Sequence, residues 1–541
     1  MRNNRIIWIL IAMFSILMSI PWLVPHTGFL ALLAFVPLLC ADAIADQCRV
    51  KHFFWYHYLA FVLWNTFTTF WVCNATVGGG IFAILANSLQ MSLIWAIFRW
   101  SKKRLGRTLP YIFLPVMWIA WEKVYFNLDI SWPWLVLGNA FAGTTGLVQW
   151  YEYTGSLGGS LWVWLVNLSL YSLISALSDE SVFIRNIWGR VVFAFWIIAV
   201  IAGPIALSCN IGRNYVETSE GTVDVVMAQP NFDPYQKFGS MTQQNQNAVL
   251  LSLFENALSD RDSLESVLLI APETFTSDID LDYVEASPTV MGFRRFLERH
   301  PEAEMLFGAS TYKFYETRAA PSILARQYGN RWAENHNSAV LLKKNGSYEI
   351  FHKSRLVVGT ELTPYPKVFV PFDDWLCKKL HVSALMGRCI GQKEISLLNY
   401  DTNVPLGCAV CYESVYGEYC TGYVSKGAKA LTVITNDAWW GDTPGYRQHF
   451  NYSRLRAIEL RRDIARCGNT GISAIIDQKG DVLAQTEWWK KQTLEGSLNL
   501  NSRLTFFAQN GDITGRICTF AFLLLLLLTI VRSFMSAIRP R

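Results

Sequence analysis

Apolar residues come first in long runs and later in short ones. Up to about residue 210 they form stretches with few charges at about 6–24, 29–45, 53–73, 79–99, 110–126, 158–178 and 187–208. Another lies at 516–533, where Phe520 to Ile530 is nearly all apolar. About 20 apolar residues are needed for a helix to cross the hydrocarbon of a bilayer. The pattern therefore predicts an α-helical transmembrane bundle of eight spans, seven in residues 1–210 and one at 516–533. Between them, over 222–504, the apolar runs shorten. Val223–Ala228, Ser266–Ala271, Met305–Ala309, Ala339–Leu342, Leu406–Cys411, Leu431–Thr435 and Ile472–Ile476 read as strands buried on both faces. Residues 243–258 and 448–463 read as helices, and Asn345-Gly346 marks a hairpin. Strands alternating with helices predict an α/β layered domain inserted between two membrane segments. Residues 313–336 and 364–392 show no clear period and read as irregular loops, the second carrying Val368, Phe369, Val370 and Phe372.

Composition sharpens this division. Only 16% of the 541 residues are charged, against about 25% in soluble domains, and the shortfall lies in the long runs. The flanking cations have a pattern. Arg2 and Arg5 precede the first run, and Arg49 and Lys51 follow the second. Lys102, Lys103, Arg104 and Arg107 follow the fourth, Arg185 and Arg190 lie around the sixth-to-seventh loop, and Arg532, Arg539 and Arg541 follow the last. Eight spans put all of them on one side, which the positive-inside rule makes the cytoplasm. Both termini are then cytoplasmic and residues 222–504 extracytoplasmic. The first run leads into Pro21-Trp22-Leu23-Val24-Pro25, not a small-x-small cleavage site, and reads as a retained helix.

The loop 127–157 is nearly free of cations and rich in Trp and Tyr, including Trp132, Trp134, Trp150, Tyr151 and Tyr153. It suits an aromatic belt at the lipid interface, or a wall for a lipid tail. Few ionisable groups fall inside the runs, Glu122 and Lys123 near the end of one, which argues against a transporter. A net charge of +5 without a basic stripe points away from nucleic acid. The eleven Cys lack a zinc-ligand pattern, so no metal is expected. Cys377 and Cys389 could bridge a short loop in an oxidising space.

Three places carry chemistry. Glu273, in Ala271-Pro272-Glu273-Thr274, ends a buried strand; Lys353 lies in His352-Lys353-Ser354-Arg355, ahead of Glu361; Cys411 ends a strand before Tyr412-Glu413. A thiol attacks best as a thiolate, a buried carboxylate can serve as general base, and a fixed ammonium can hold an oxyanion. Each also has an ordinary reading: a small core residue, a capping carboxylate, a solvated lysine.

Their order and surroundings resemble those of the bacterial apolipoprotein N-acyltransferases, membrane-embedded members of the nitrilase superfamily. Trp132-Pro133-Trp134-Leu135, Pro272-Glu273-Thr274, His352-Lys353 with Leu356-Val357 and Glu361, and Cys411-Tyr412-Glu413 carry the likeness. So do Asn436-Asp437-Ala438-Trp439-Trp440-Gly441-Asp442, Gln448-His449, Arg454 to Glu459, and Asn469-Thr470-Gly471. Two departures stand out. Val358-Gly359-Thr360-Glu361 replaces the family's Pro-Phe-Gly-Glu, and Phe238 stands where relatives often have Trp.

The resemblance implies an α-β-β-α nitrilase-like sandwich over 222–504, outside the bacterial inner membrane. It implies catalytic Glu273, Lys353 and Cys411, with Glu361, Tyr412, Glu413 and Phe238 around the substrate, and no cofactor. It also implies a Cys thioester, a membrane phospholipid as acyl donor, and the N-terminal diacylglyceryl-cysteine of an apolipoprotein as acceptor. A membrane-anchored amidase passing the acyl group to water would use the same triad. One span would anchor it, however, and eight are predicted.

Overall fold

The computed structural model describes residues 2–178, 187–259, 266–382, 384–401 and 403–538. Arg185, Arg539 and Arg541 lie outside the described residues, as does the Phe238 side chain. Lipid offers backbone groups no partners, so long apolar runs fold as helices that satisfy themselves. Helices Arg2–Leu23, Ala31–Gln47, Phe54–Thr69, Val77–Lys102, Leu109–Tyr125, Tyr151–Ser178, Ile187–Asn214 and Ile513–Ile538 take up the eight predicted segments. Among the described residues, six helices are long and apolar enough to cross a membrane. Phe54–Thr69 and Leu109–Tyr125 fall short, at 16 and 17 residues. At 1.5 Å per residue they reach about 24–26 Å, less than the roughly 30 Å of hydrocarbon. Six of the eight predicted segments thus meet the length for a span, and the count of eight is not borne out.

The chain divides into two compact units. One holds the helices up to Tyr215, without residues 129–131, and the stretch from Asn510. The other is Val216–Gln509 together with Asp129–Ser131. Inside the helical unit, Asp42 pairs with Arg99 and Lys102, and Asn87 donates to Asn65 at 2.7 Å. Glu122 accepts from Leu137 N at 2.9 Å and Trp118 Nε1 at 3.1 Å, pinning the 3₁₀ turns Pro133–Leu135 and Leu137–Phe141. These contacts correct the aromatic-belt reading of 127–157 for three of its rings, while Tyr153 stays exposed. Trp134, Trp150 and Tyr151 are buried within the unit, and Trp134 packs on Trp71 at 4.9 Å between ring centroids.

The second unit has two sheets. The eight-stranded sheet runs in the order Gln492–Asn499, Thr222–Gln229, Val267–Ile270, Ala303–Tyr315, Arg331–Leu342, Arg326–Tyr328. Thr276–Asp280 pairs with the fourth of these strands and Tyr348–His352 with the fifth. The six-stranded sheet runs Val482–Gln485, Ala474–Ile476, Ile464–Gly468, Ala430–Thr435, Val404–Val410, Leu398–Tyr400.

Strand side chains alternate between faces, and here both faces are covered. Val225, Met227, Leu268 and Ile270 join Val410, Ile434, Ala465 and Ile475 in the core between the sheets. Val226, Leu269, Met305 and Phe307 face the other way, against Phe254 of helix Gln243–Leu258 and Phe293 of helix Pro288–Arg299. Helices Gly417–Ser425 and Pro444–Leu460 contribute Tyr423, Phe450, Ala457 and Leu460 to the core of the six-stranded sheet. This is the expected α/β architecture. The Asn345-Gly346 hairpin forms with Gly346 at φ +83° and Leu342 opposite Tyr348.

Two expected loops are ordered elements. Residues 313–336 carry the outer half of a long ribbon, in which Thr311 pairs with His336 and Tyr315 with Trp332. Residues 364–392 contain the helix Pro366–Leu380. Pro366 takes the first position, where its missing N–H costs nothing. The helix buries Val370 and exposes Val368, Phe369, Phe372 and Trp375. Cys377 and Cys389 are both free thiols. Cys377 Sγ lies 3.8 Å from Asp373 Oδ1 on its own helix, while Cys389 N donates to Glu361 O at 2.8 Å. The suggested bridge is not formed.

Candidate active site

Three loops at strand ends bring the predicted residues together. Glu273 follows Val267–Ile270, Lys353 follows Tyr348–His352, and Cys411 follows Val404–Val410. Two of these turns use left-handed backbone in residues that bear a Cβ: Thr274 at φ +48° and Cys411 at φ +53°. The Glu273 turn also needs a close neighbour without a side chain. A Cβ on Gly308 would come within 2.4 Å of Glu273 Cα.

Lys353 lies at the centre, 1% exposed. Its Nζ donates to Glu273 Oε1 at 2.9 Å and to Glu361 Oε1 at 3.0 Å. Asn337 Nδ2 bridges the same two carboxylates at 2.7 and 2.6 Å. Glu273 Oε2 accepts from Asn436 N at 3.1 Å, and Glu361 Oε2 from Val357 N at 2.7 Å. Burial opposes the charge on Lys353, but Glu273, Glu361 and Cys411 outweigh it and hold its pKa well above the ordinary lysine value. The lysine is a fixed cation.

Cys411 is buried, with Sγ 3.3 Å from Thr435 Oγ1. Burial first, then the charge of Glu273, pushes its thiol well up, while Lys353 pulls the other way. At rest the sulfur keeps its proton, so attack requires a base. Cys408 is packed between the sheets, where burial pushes its thiol up to about 12.

Other predicted residues are placed differently. Glu413 is fully buried. Its Oε1 accepts from Ser354 N at 2.7 Å, Arg355 N at 3.2 Å and Tyr419 OH at 2.8 Å. Its Oε2 accepts from Val410 N at 2.8 Å and Tyr423 OH at 3.1 Å. The carboxylate ties the backbone after Lys353 to the backbone before Cys411. The Tyr412 side chain is also buried and donates to Ser131 O at 3.1 Å. Phe238 ends the short helix Pro234–Phe238.

Sequence reasoning missed several neighbours. Asn337 breaks an otherwise apolar strand end as Asn-His-Asn-Ser, a polar signal inside a buried ribbon. Lys237 Nζ donates to Thr274 O at 2.6 Å, and burial pushes its pKa down to about 7 against the pull of Glu273. Cys411, Asp437 and His449 bring ligand-type atoms within 4.8 Å of one another. Asp437 already accepts from Arg466 Nη2 at 2.7 Å, and His449 Nδ1 faces Asp437 Oδ1 at 2.9 Å. A guanidinium on the only carboxylate suits a hydrogen-bonded network better than a cation.

Residues 241–503 match the family model for carbon-nitrogen hydrolases, and residues 14–169 match that for the apolipoprotein N-acyltransferase N-terminal domain. An apolipoprotein N-acyltransferase of Chlorobaculum tepidum is 29% identical over 502 residues, 92% of this chain and 91% of that protein. One of Geobacter metallireducens is 25% identical over 93% of this chain and 91% of its own length. Apolipoprotein N-acyltransferase 1 of Treponema denticola is 22% identical over 99% of each.

Proposed function

The chain belongs to the apolipoprotein N-acyltransferase family, and from that premise we propose that Cys411 carries a fatty acyl group from a membrane phospholipid to a lipoprotein amine. Glu273 takes the thiol proton and the sulfur attacks an acyl ester carbonyl. The oxyanion forms against Lys353 Nζ and the Tyr412 N–H. Its collapse breaks the ester C–O bond, and the departing lysophospholipid oxygen takes the proton from Glu273. The α-amine of an N-terminal diacylglyceryl-cysteine then attacks the thioester. Glu273 accepts its proton and returns it to the leaving sulfur, giving an amide and a restored thiol. Glu361 holds Lys353 for both steps. The observation that carries this reading is the buried ammonium of Lys353, bonded to Glu273 and within the electrostatic reach of Cys411.

The enzyme works in the bacterial inner membrane, with the α/β unit periplasmic and both termini cytoplasmic. Parity supports this orientation. Five of the six long helices precede the unit and one follows it, and a count of eight leaves seven before it. Either number is odd. The exposed face of helix Pro366–Leu380 suits contact with lipid, since exposed apolar patches favour an interface.

The test is intact-protein mass spectrometry after incubation with phospholipid alone. An acyl adduct should form, map to Cys411 and be absent from Cys411→Ser. A diacylglyceryl-cysteine peptide should then discharge it, while water does so far more slowly. Rapid discharge by water would favour the amidase alternative, and an unmodified Cys411 would overturn the mechanism.

A further inference from the structure

The backbone of Cys411 is held in an uncommon conformation, φ +53°, which side-chain-bearing residues rarely adopt. Its carbonyl oxygen is gripped from two sides, by Ser414 Oγ at 2.7 Å and His449 Nε2 at 3.1 Å. His449, on helix Pro444–Leu460, turns its other nitrogen to Asp437, with Nδ1 at 2.9 Å from Oδ1 and 3.2 Å from Oδ2. Asp437 accepts from Arg466 Nη2 at 2.7 Å and from Thr435 Oγ1 at 2.7 Å. Thr435 Oγ1 in turn lies 3.3 Å from Cys411 Sγ. The path leaves the nucleophile at its sulfur and returns at its carbonyl, and every residue on it is buried.

Proton placement follows from these partners. A carbonyl has no hydrogen to donate, nor has a carboxylate paired with a guanidinium. The His449 ring is thus held between two acceptors, the Cys411 carbonyl at Nε2 and the Asp437 carboxylate at Nδ1. The charged and titratable groups facing it are Asp437, Arg466, whose Nη2 is 3.4 Å from Nδ1, and Cys411. Ser414 Oγ and the Trp440 ring also lie against it.

We propose that His449 is a positioning residue, a clamp anchored on Asp437 that keeps Cys411 in its left-handed turn, and that Thr435 turns its hydroxyl toward the sulfur when the thiolate forms. While the thiol is intact, Thr435 donates to Asp437. Once Glu273 has the thiol proton, the same hydroxyl hydrogen swings to the sulfur. No further proton is transferred in that rotation. His449 is committed to two oxygens and is not the base.

The inference rests on Cys411 being the nucleophile. The test uses the full-length protein in detergent. Site-mapped alkylation of Cys411 by iodoacetamide is followed against pH, beside the steady-state constants for phospholipid. His449→Gln can still donate to the Cys411 carbonyl, but it loses the anchor on Asp437. Alkylation of Cys411 should slow at every pH as the sulfur leaves its fixed place. The variant's kcat should fall about 10²-fold, with KM within about twofold.

Thr435→Val, matched in shape, should move the alkylation profile up by about one pH unit, because the thiolate loses a donor, and Thr435→Ser should restore it. A folded His449→Gln protein with unchanged alkylation rate and kcat would overturn the proposal. If His449→Gln does not fold, the threonine pair decides, and a Thr435→Val profile coinciding with the parent overturns it. Full turnover in Cys411→Ser would instead sink the nucleophile assignment on which the proposal rests.

Discussion

Two glutamates sit in turns beside Cys411, both nearly out of reach of solvent, and the protein surrounds them differently. Glu273 has a charged partner, Lys353, and bonds to Asn337 and to one backbone N–H. Among the described residues, Glu413 has five donors and no ion pair, three of the donors being backbone N–H groups. Burial pushes the carboxyl of Glu413 up while its hydrogen bonds oppose the rise. The contrast separates two tasks that residue type alone does not distinguish. A carboxylate that must exchange a proton keeps a cation and few fixed donors. One that must hold two chain segments together is saturated with them.

The largest effect expected from this contrast is on rate. Glu273→Gln and Lys353→Met should lower acylation by about 10²–10⁴-fold and 10²–10³-fold respectively, with membrane insertion unchanged. Near-normal thioester formation in either variant would remove that residue from the catalytic set. Glu413→Gln should act first on stability. Its amide would turn hydrogens toward at least two of the five donors, and each group left unsatisfied costs about 1–3 kcal/mol. Denaturant unfolding should show that loss. An unaltered midpoint would mean that Glu413 does not carry the junction.

Gly308→Ala tests the Glu273 side alone. The added methyl would press on Glu273 Cα from 2.4 Å, and such overpacking costs about 1–3 kcal/mol. Acylation should fall while the alkylation of Cys411 persists. Loss of alkylation as well would show that the two turns move as one.

The smallest effect concerns pH. His352, next to Lys353, stacks on His336 at 4.3 Å, and burial first, then the charge of His336, pushes its pKa from 6.5 down to about 4. Between those values the unfolded chain binds the extra proton, so stability falls as pH drops from about 6.5 to about 4. His352→Gln should flatten that slope in thermal unfolding. A parallel slope would place the titrating group elsewhere.

Strand ends were readable where an apolar run stopped abruptly, as at Ala271-Pro272-Glu273 and Val410-Cys411. Lys353 needed the family likeness, because its strand is amphipathic and its partners lie far along the chain. The ribbon over 313–336 escaped notice because its residues are half exposed on both sides, which erases the period of two. The helix Pro366–Leu380 was hidden by Pro364, Pro366 and Pro371, residues that usually mark loops. No local pattern signals that Asp129–Ser131 belong with the α/β unit, nor that Asn337 joins two carboxylates from separate loops. Both depend on the folded path of the chain.

The pairing of Thr222–Gln229 with Gln492–Asn499, Thr222 opposite Asn499 and Gln229 opposite Gln492, has a consequence for synthesis. The first strand of the inserted domain emerges from the ribosome long before the partner on one of its edges. At about 5–20 residues per second the wait is on the order of tens of seconds. Val267–Ile270 can cover the opposite edge early, since it follows closely in the chain. The remaining edge stays open through synthesis of nearly the whole domain, with its backbone N–H and C=O groups available to any other extended chain. Release of the last strand is therefore the step that closes the sheet, and a stall just before it would leave an aggregation-prone edge exposed.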